Sequence, residues 1–204
     1  VRTGYYTTTL TRIPMQRSII VALAAAFALA CGGETRAPSA DSPVASVGLP
    51  GTETQAPNEF LVRFETSKGP FTVEVHRDWA PRGVDRFHHL VQSQYFDNVR
   101  FFRVVSSFVA QFGMHGNPRV NAAWEALPIQ DDSVRESNRR GYVTFATSGP
   151  NSRANQLFIS SVNNRPLDEM GFAPIGRVIQ GIAVIDSLYA DYGEAPDQTR
   201  IKAE

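Results

Sequence analysis

Residues 101–113 read F-F-R-V-V-S-S-F-V-A-Q-F-G, and this stretch decides how the chain is interpreted. Aromatic and β-branched residues, which favour β-strands, fill both halves, and two serines lie between them. The pattern predicts two strands, at 100–105 and 108–112. Arg103 and Gln111 are the residues with long polar side chains among these apolar neighbours.

Alternating apolar residues predict further strands outward from this stretch. Phe60, Val62 and Phe64 alternate, and the turn residues at 67–70 connect them to a second alternating run, which predicts a β-hairpin. The remaining predicted strands are at 71–75, 142–146, 157–160 and 172–179.

Two amphipathic helices are predicted between the strands. One follows Pro81 and has apolar residues at the i, i+3, i+4, i+7 spacing, and the other covers about 182–189. Many strands with two separated helices predict a mainly β fold, a mostly antiparallel barrel capped by helices.

A second block, at residues 145–159, reads F-A-T-S-G-P-N-S-R-A-N-Q-L-F-I. Together with residues 101–113 it resembles the cyclophilin family of peptidyl-prolyl isomerases. The resemblance implies a closed antiparallel eight-stranded barrel capped by two helices. Residues 191–198 look like a loop and leave 199–203 for the last strand, so we expect that strand to be short or missing.

The reaction that this resemblance implies needs neither a nucleophile nor a cofactor. Amide resonance sets a barrier of about 18–20 kcal/mol to rotation of an X-Pro bond, and the resonance is lost in the twisted transition state. A fixed hydrogen-bond donor in a dry cleft can favour that twisted form. By resemblance Arg103 is this donor, and Gln111 binds the substrate backbone and steadies Arg103.

The resemblance also implies a groove that binds the substrate. Phe108 and Phe158 would form walls of a proline pocket, and Val109 stands where a methionine is common in the family. The complete set of predicted substrate-binding residues is Phe102, Phe108, Val109, Ala146, Thr147, Ser148, Gln156, Phe158, Leu167 and Phe172.

Three positions depart from the family pattern. Phe102 and Phe172 stand where histidines are common, and Pro166 stands where well-known eukaryotic members have a tryptophan. We expect an altered isomerisation rate and weak cyclosporin binding. The departures also leave an alternative, a cyclophilin-like module that binds proline peptides with little turnover.

Composition excludes several other functions. The 204 residues are 42% hydrophobic and 20% charged, as in an ordinary globular protein, and 20 Lys and Arg balance 20 Asp and Glu, so no nucleic-acid surface is expected. One cysteine allows no internal disulfide or zinc cluster. The phosphate-loop, dinucleotide, H-E-x-x-H and G-x-S-x-G motifs are absent from the sequence, and we expect no metal and no cofactor.

Residues 1–31 have the composition of an export signal. Arg12 and Arg17 precede an apolar run at 19–30, which is shorter than the about 20 residues that a membrane-spanning helix needs. The run ends in Ala-Leu-Ala-Cys and resembles a bacterial lipoprotein cleavage site, so we expect Cys31 to be lipidated; a plain secreted protein is the alternative. Residues 1–14 would be an extension upstream of a start at Met15.

Residues 32–58 are rich in Ala, Pro, Ser, Thr and Gly, which predicts a flexible linker, and the folded domain is predicted at 59–204. We therefore expect a monomeric isomerase, exported and lipid-anchored in the bacterial cell envelope. Its substrates would be proline-containing segments of exported or envelope proteins. It would have no nucleic-acid partner and would touch the membrane only through its N-terminal lipid.

Overall fold

A computed structural model describes residues 2–6, 48–52, 54–190 and 194–203. Its strands are β1 (Arg2–Tyr6), β2 (Glu59–Thr66), β3 (Gly69–His76), β4 (Phe101–Val105), β5 (Val109–Phe112), β6 (Tyr142–Phe145), β7 (Leu157–Ser160) and β8 (Pro174–Gln180). Its helices are α1 (Pro81–Gln92), α2 (Pro118–Glu125), α3 (Pro166–Glu169), α4 (Ile182–Asp186) and α5 (Gln198–Ala203). None of the described helices is long and apolar enough to cross a membrane.

The strands form one antiparallel sheet in the order β1-β2-β3-β8-β6-β7-β5-β4. The mainly β prediction is confirmed, and strands β2 to β8 make a curled sheet that carries the helices. Among the described strands the ladder ends at β1 and β4, so the predicted closure into a complete barrel is not observed. The residues predicted for the last strand, 199–203, lie in helix α5 instead, because Asp197 accepts a hydrogen bond from the Arg200 backbone N–H and starts a helical turn.

The predicted hairpin is β2 and β3. Its alternating residues Phe60, Val62 and Phe64 are buried and lie opposite Val75, Val73 and Phe71. Phe64 and Phe71 stack with ring centroids 4.8 Å apart. The alternation therefore places one face of the hairpin in the core, as expected for a half-buried antiparallel pair.

Strands β5 and β7 have two different apolar faces. Ala110 and Phe112 on β5, with Leu157 and Ile159 on β7, belong to the large core. Val109 and Phe158, which alternate with them, belong to a separate small cluster on the other face. Since successive side chains of a strand point to opposite sides, these two strands separate the core from a surface groove.

Helix α1 begins at Pro81, as predicted, and buries its apolar face. The second predicted helix, at 182–189, ends earlier, at Asp186. The prediction of two helices was incomplete, because helices α2, α3 and α5 also form. Helix α2 begins at Pro118, and the side chain of its N-cap residue, Asn117, accepts a hydrogen bond from the Arg119 backbone N–H.

The end of the predicted linker packs on the helices. The Gly48 carbonyl accepts a 2.5 Å hydrogen bond from Nε1 of the fully buried Trp124. The Ala56 N–H donates to the Asp85 carboxylate at 2.9 Å. The ordered part of the domain thus extends upstream of Glu59. Of the predicted extension and signal, residues 2–6 form β1, which pairs with β2. Residues 7–47, which include the apolar run, Cys31 and the first part of the linker, lie outside the described residues.

Candidate functional site

Arg103 lies on β4, directly across the ladder from Gln111 on β5. The register shifts between Phe101 and Arg103, so the strand is locally irregular where the arginine leaves it. The Arg103 side chain is only 18% exposed, and its guanidinium lies 5.8 Å from the centroid of the Phe108 ring. Packing against an aromatic face restrains a long side chain that would otherwise sample many rotamers.

A chain of side-chain hydrogen bonds fixes the arginine. Arg103 Nη1 donates to Gln111 Oε1 at 3.3 Å, and Gln111 Nε2 donates to Gln156 Oε1 at 3.0 Å. Because Gln111 accepts through its amide oxygen and donates through its amide nitrogen, the chain assigns one orientation to that amide group. The structure therefore brings together three residues that the sequence predicted for the site.

An apolar pocket of about 230 Å³ lies beside Arg103. Phe158 and Phe172 meet edge to face at its base, with ring centroids 5.7 Å apart. The lining residues are Arg103, Phe108, Val109, Gln111, Ala146, Thr147, Phe158, Leu167, Met170 and Phe172. We call this cavity the apolar pocket.

A buried asparagine holds one wall of the apolar pocket in place. Asn138, which is 0% exposed, donates through Nδ2 to the Asp168 carboxylate and to the Phe172 carbonyl, both at 2.8 Å. Its Oδ1 accepts a hydrogen bond from the Thr144 hydroxyl at 2.9 Å. Burial alone would raise the pKa of Asp168, but hydrogen bonds from the Ser137 hydroxyl and from Asn138 outweigh it and lower that pKa. The carboxylate thus stays ionised and anchors α3, which carries Leu167.

The opposite wall is fastened through the backbone of Phe108. Its carbonyl accepts hydrogen bonds from Asn164 Nδ2 and from the Ser161 N–H, both at 2.9 Å. Asn164 is tied in turn to Asn138, since its N–H donates to the Asn138 carbonyl at 2.7 Å. One polar network therefore supports both sides of the pocket.

A second, polar pocket of about 560 Å³ adjoins the first across Gln111, Ala146 and Thr147. Its lining residues are Gln111, Glu125, Pro128, Ala146, Thr147, Ser148, Asn151, Ser152, Ala154, Asn155, Gln156 and Gln198. We call it the polar pocket. The Ser152 hydroxyl contacts the Thr147 hydroxyl at 2.8 Å and accepts from the Ser148 N–H at 2.9 Å, so the turn that forms this wall is tightly held.

Close backbone packing supports the floor between the two pockets. Gly113 has φ of +109°, and a Cβ atom there would lie 2.4 Å from the Asn155 carbonyl oxygen. Tyr95, whose pKa burial raises well above its ordinary value, donates to the Gly113 carbonyl at 2.9 Å. Asn155 Nδ2 contacts the same hydroxyl at 2.7 Å. These contacts fix β5 against the segment that leads into β7, and so fix Gln111 against Gln156.

Phe102 is the predicted substrate-binding residue that lines neither the apolar pocket nor the polar pocket. It is 5% exposed, but it lines a third cavity of about 560 Å³ together with Arg100, Phe101, Pro196, Asp197, Arg200 and Ile201. The physical reason is a bulge in β4, because Phe101 pairs with Phe112 and Arg103 pairs with Gln111, which leaves Phe102 as the extra residue between them. We call this cavity the Phe102 cavity.

Asn138, Asn164 and Met170 support or line the apolar pocket and were not predicted from the sequence. Asn138 and Asn164 act mainly through hydrogen bonds to residues 26–56 positions away, and no local pattern indicates such contacts. Met170, 66% exposed at the rim of the apolar pocket, follows a helix of four residues that no periodicity reveals.

The described residues contain no group of three or more His, Cys, Asp or Glu side chains that could hold a metal ion. His88 and His89 are adjacent on α1 and point in different directions. The His89 ring accepts the Gly51 N–H at 3.1 Å, so it fastens the segment upstream of β2.

Comparisons with known proteins agree on one family. The model of the family described as "Cyclophilin type peptidyl-prolyl cis-trans isomerase/CLD" matches residues 61–203. A peptidyl-prolyl cis-trans isomerase of Arabidopsis thaliana is 35% identical over 130 residues, which are 62% of this chain and 79% of that protein. One of Acinetobacter baylyi is 30% identical over 135 residues, which are 63% of this chain and 71% of the relative.

Solved structures show the same fold. A cyclophilin-type isomerase of Cryptosporidium parvum superimposes with a TM-score of 0.55 at 24% identity, over 64% of this chain and 83% of that one. A structure of that protein in the presence of the dipeptide Ala-Pro gives 0.56 at 23% identity, over 68% and 91%. A cyclophilin of Hirschia baltica gives 0.55 at 20% identity, over 69% and 70%.

Proposed function

The chain belongs to the cyclophilin-type family of peptidyl-prolyl cis-trans isomerases and is an isomerase of X-Pro bonds, and we propose that Arg103 is its catalytic residue. The observation that carries this proposal is the position of Arg103. Its guanidinium lies at the edge of the apolar pocket and is fixed by Gln111 and by the Phe108 ring.

The chemistry follows from the electronic change during rotation. Twisting the X-Pro bond removes the amide resonance that sets the barrier, and the proline nitrogen becomes able to accept a hydrogen bond. A guanidinium that is charged at all working pH values and presents several N–H donors can stabilise that nitrogen. Because the planar ground state does not offer this lone pair, the interaction favours the transition state over the substrate.

The two pockets support separate tasks. The apolar pocket, walled by Phe108 and Phe158, would hold the proline ring beside Arg103. The polar pocket begins at Gln111 and would accommodate the part of the peptide that precedes the proline. Gln111, which lines both pockets, would bind the substrate backbone at the point between them. Substrates of this shape are extended segments with an exposed X-Pro bond. A solved structure of similar fold, obtained in the presence of Ala-Pro, supports this class of ligand.

Replacing Arg103 tests the assignment. Removal of a fixed donor to a transition state costs about 10²–10³-fold in rate, so we expect that loss in kcat/KM for Arg103→Ala in a proline-isomerisation assay. Arg103→Lys should recover little, since an ammonium lacks the planar fork. Arg139→Ala is the matched control, because Arg139 also lies over an aromatic ring, 6.0 Å from the centroid of Tyr142, but outside both pockets. Equal rates for Arg103→Ala and the unsubstituted protein would refute the role.

We further propose that the isomerase works outside the cytoplasm, anchored through Cys31. The support is the sequence alone: a basic start, the apolar run at 19–30 and a cysteine at its end. Lipid chains would hold the domain at the envelope, since each buried CH₂ group contributes about 0.8 kcal/mol. Mass spectrometry of the mature N-terminus tests this, and a mature chain that retains residues upstream of an unmodified Cys31 would refute it.

A further inference from the structure

The segment 194–203 occupies the donors of the proposed catalytic residue. Arg103 Nε donates to the Glu194 backbone carbonyl at 2.7 Å, and Nη2 lies 3.4 Å from the Glu194 carboxylate. Its Nη1 is engaged by Gln111. All three guanidinium nitrogens therefore have a partner within the chain. A substrate that needs this guanidinium has to displace Glu194.

The segment 194–203 also covers Phe102, the predicted substrate-binding residue that does not line the groove. Pro196, Asp197, Arg200 and Ile201 line the Phe102 cavity. Phe102 is 5% exposed although it belongs to neither apolar cluster of the fold. An aromatic side chain on the outer side of β4 would expose a large apolar area without such a cover. Phe102 thus gives the segment 194–203 an apolar surface to pack against, next to Arg103.

A third contact is with the polar pocket. Gln198, the first residue of α5, lines the polar pocket, and α5 contacts α2. The segment therefore touches Arg103, the Phe102 cavity and the polar pocket. The apolar pocket, by contrast, has no lining residue from 194–203 and stays open to a proline ring.

We propose that the segment 194–203 is a built-in competitive inhibitor, which sits on Arg103 as a peptide backbone and must swing aside before a substrate binds. The inference rests on the proposed role of Arg103 and adds regulation at the same site. Glu194 presents to the arginine a backbone carbonyl, the group that a bound peptide would offer, and adds its side-chain carboxylate. Ala195 and Pro196 follow it, but Pro196 lies in the Phe102 cavity, so the segment blocks the donor without filling the ring pocket.

The contact is suited to reversible release. Glu194 is 74% exposed, and exposed ion pairs contribute little to stability. If the closed form is about three- to tenfold more populated than the open form, the apparent affinity for a peptide falls by about the same factor. A partner that binds residues 194–203, or the Phe102 surface, would thus activate the enzyme.

The test uses the full chain and two readouts. We compare the unsubstituted protein with Glu194→Gln/Ile201→Asp, which removes both the carboxylate and the apolar contact. The readouts are the Kd of a fluorescein-labelled, uncharged Ala-Pro-containing peptide and the isomerisation kinetics. Release of the segment should lower Kd and KM by about three- to tenfold and leave kcat unchanged. An unchanged or higher Kd in a variant with a native circular dichroism spectrum overturns the proposal.

A second variant guards against misfolding of the first. Glu194→Lys is one substitution at an exposed position and places a positive charge beside Arg103, so it should also lower Kd. The matched control is Glu59→Lys, because Glu59 is likewise 74% exposed and lies 3.4 Å from its partner, His76, away from the groove. If Glu194→Lys and Glu59→Lys bind the peptide equally, the segment does not inhibit.

The two readouts separate this proposal from the proposed function. Peptide binding does not depend on turnover. Tighter binding by the Glu194 variants without any isomerisation would leave the inhibitory contact standing and refute the role of Arg103. Isomerisation that depends on Arg103 but is the same in all Glu194 variants would support the role of Arg103 and refute the inhibitory contact.

Discussion

The large core and the apolar pocket are built from opposite faces of the same strands, but the core is covered by other elements and the pocket is partly open. On the core side, Phe64 contacts four other phenylalanine rings with centroids 4.8–6.4 Å away. On the pocket side, Val109, Phe158 and Leu167 are buried, while Phe108, Ala146 and Phe172 are only partly covered. The core is closed by β2, β3 and α1, whereas the pocket lacks such a layer.

The difference indicates how one sheet supplies both stability and a ligand site. Apolar area that is buried by the fold stabilises the fold by about 25 cal/mol per Å². Apolar area that stays half-covered on rigid strands is buried only when a ligand binds, so its burial contributes free energy to ligand binding instead. The polar network of Asn138 and Asn164 holds the pocket walls in place without closing them. Substitutions on the two faces should therefore affect different measurements.

The largest effect is expected on the core face, for Phe64→Ala. Phe64 is 1% exposed and fully surrounded, and truncation of a buried phenylalanine costs about 3–5 kcal/mol. We expect the free energy of unfolding, measured by urea denaturation, to fall by this amount. The fraction that remains folded should keep its kcat/KM. A loss below about 1 kcal/mol would contradict the closed packing of this face.

A smaller effect, seen in activity, is expected on the pocket face for Phe158→Ala. Phe158 is also nearly buried, at 5% exposed, but one side of it faces the cavity where a proline ring would lie. Burying a phenylalanine side chain contributes about 1.5–3 kcal/mol, so loss of this wall should lower kcat/KM by tenfold or more.

The stability readout completes the comparison. Phe158→Ala should reduce the free energy of unfolding less than Phe64→Ala does, since fewer neighbours surround the ring. A variant that loses as much stability as Phe64→Ala and keeps its kcat/KM would show that Phe158 is core rather than pocket.

Alternation along the chain explains why the sequence predicted this division so well. Period-2 patterns in β2, β5 and β7 assign each residue to one of two faces, and the resemblance then predicted which face binds peptide. Phe102 shows where this reasoning stops: the family position suggested the groove, but the side chain lies under the segment 194–203. The fold of that segment depends on contacts with β4 and α2, which are distant in the sequence. Asn138 was missed for the same reason, because its partners, Asp168 and Phe172, lie 30–34 residues away.

The smallest effect concerns the carboxylate behind the pocket. The pKa of Asp168 lies below its ordinary value of 3.8, because hydrogen bonds from Ser137 and Asn138 outweigh the opposing effect of burial. A lowered pKa in the folded state means that the ionised form stabilises the fold above pH 3.8. That contribution is lost as the pH falls through 3.8 towards the lower value.

The pH dependence of Asp168→Asn should reveal that contribution. At pH 7 the variant should lose about 1.5 kcal/mol of unfolding free energy, the lower end of the contribution of a hydrogen bond to a charged group. The difference from the unsubstituted protein should shrink when urea denaturation is repeated near pH 3. Glu169→Gln, an exposed change on the same short helix, should show neither effect. If the loss for Asp168→Asn is the same at both pH values, the asparagine disturbs packing rather than charge. The pocket wall would then depend on shape, as the core does.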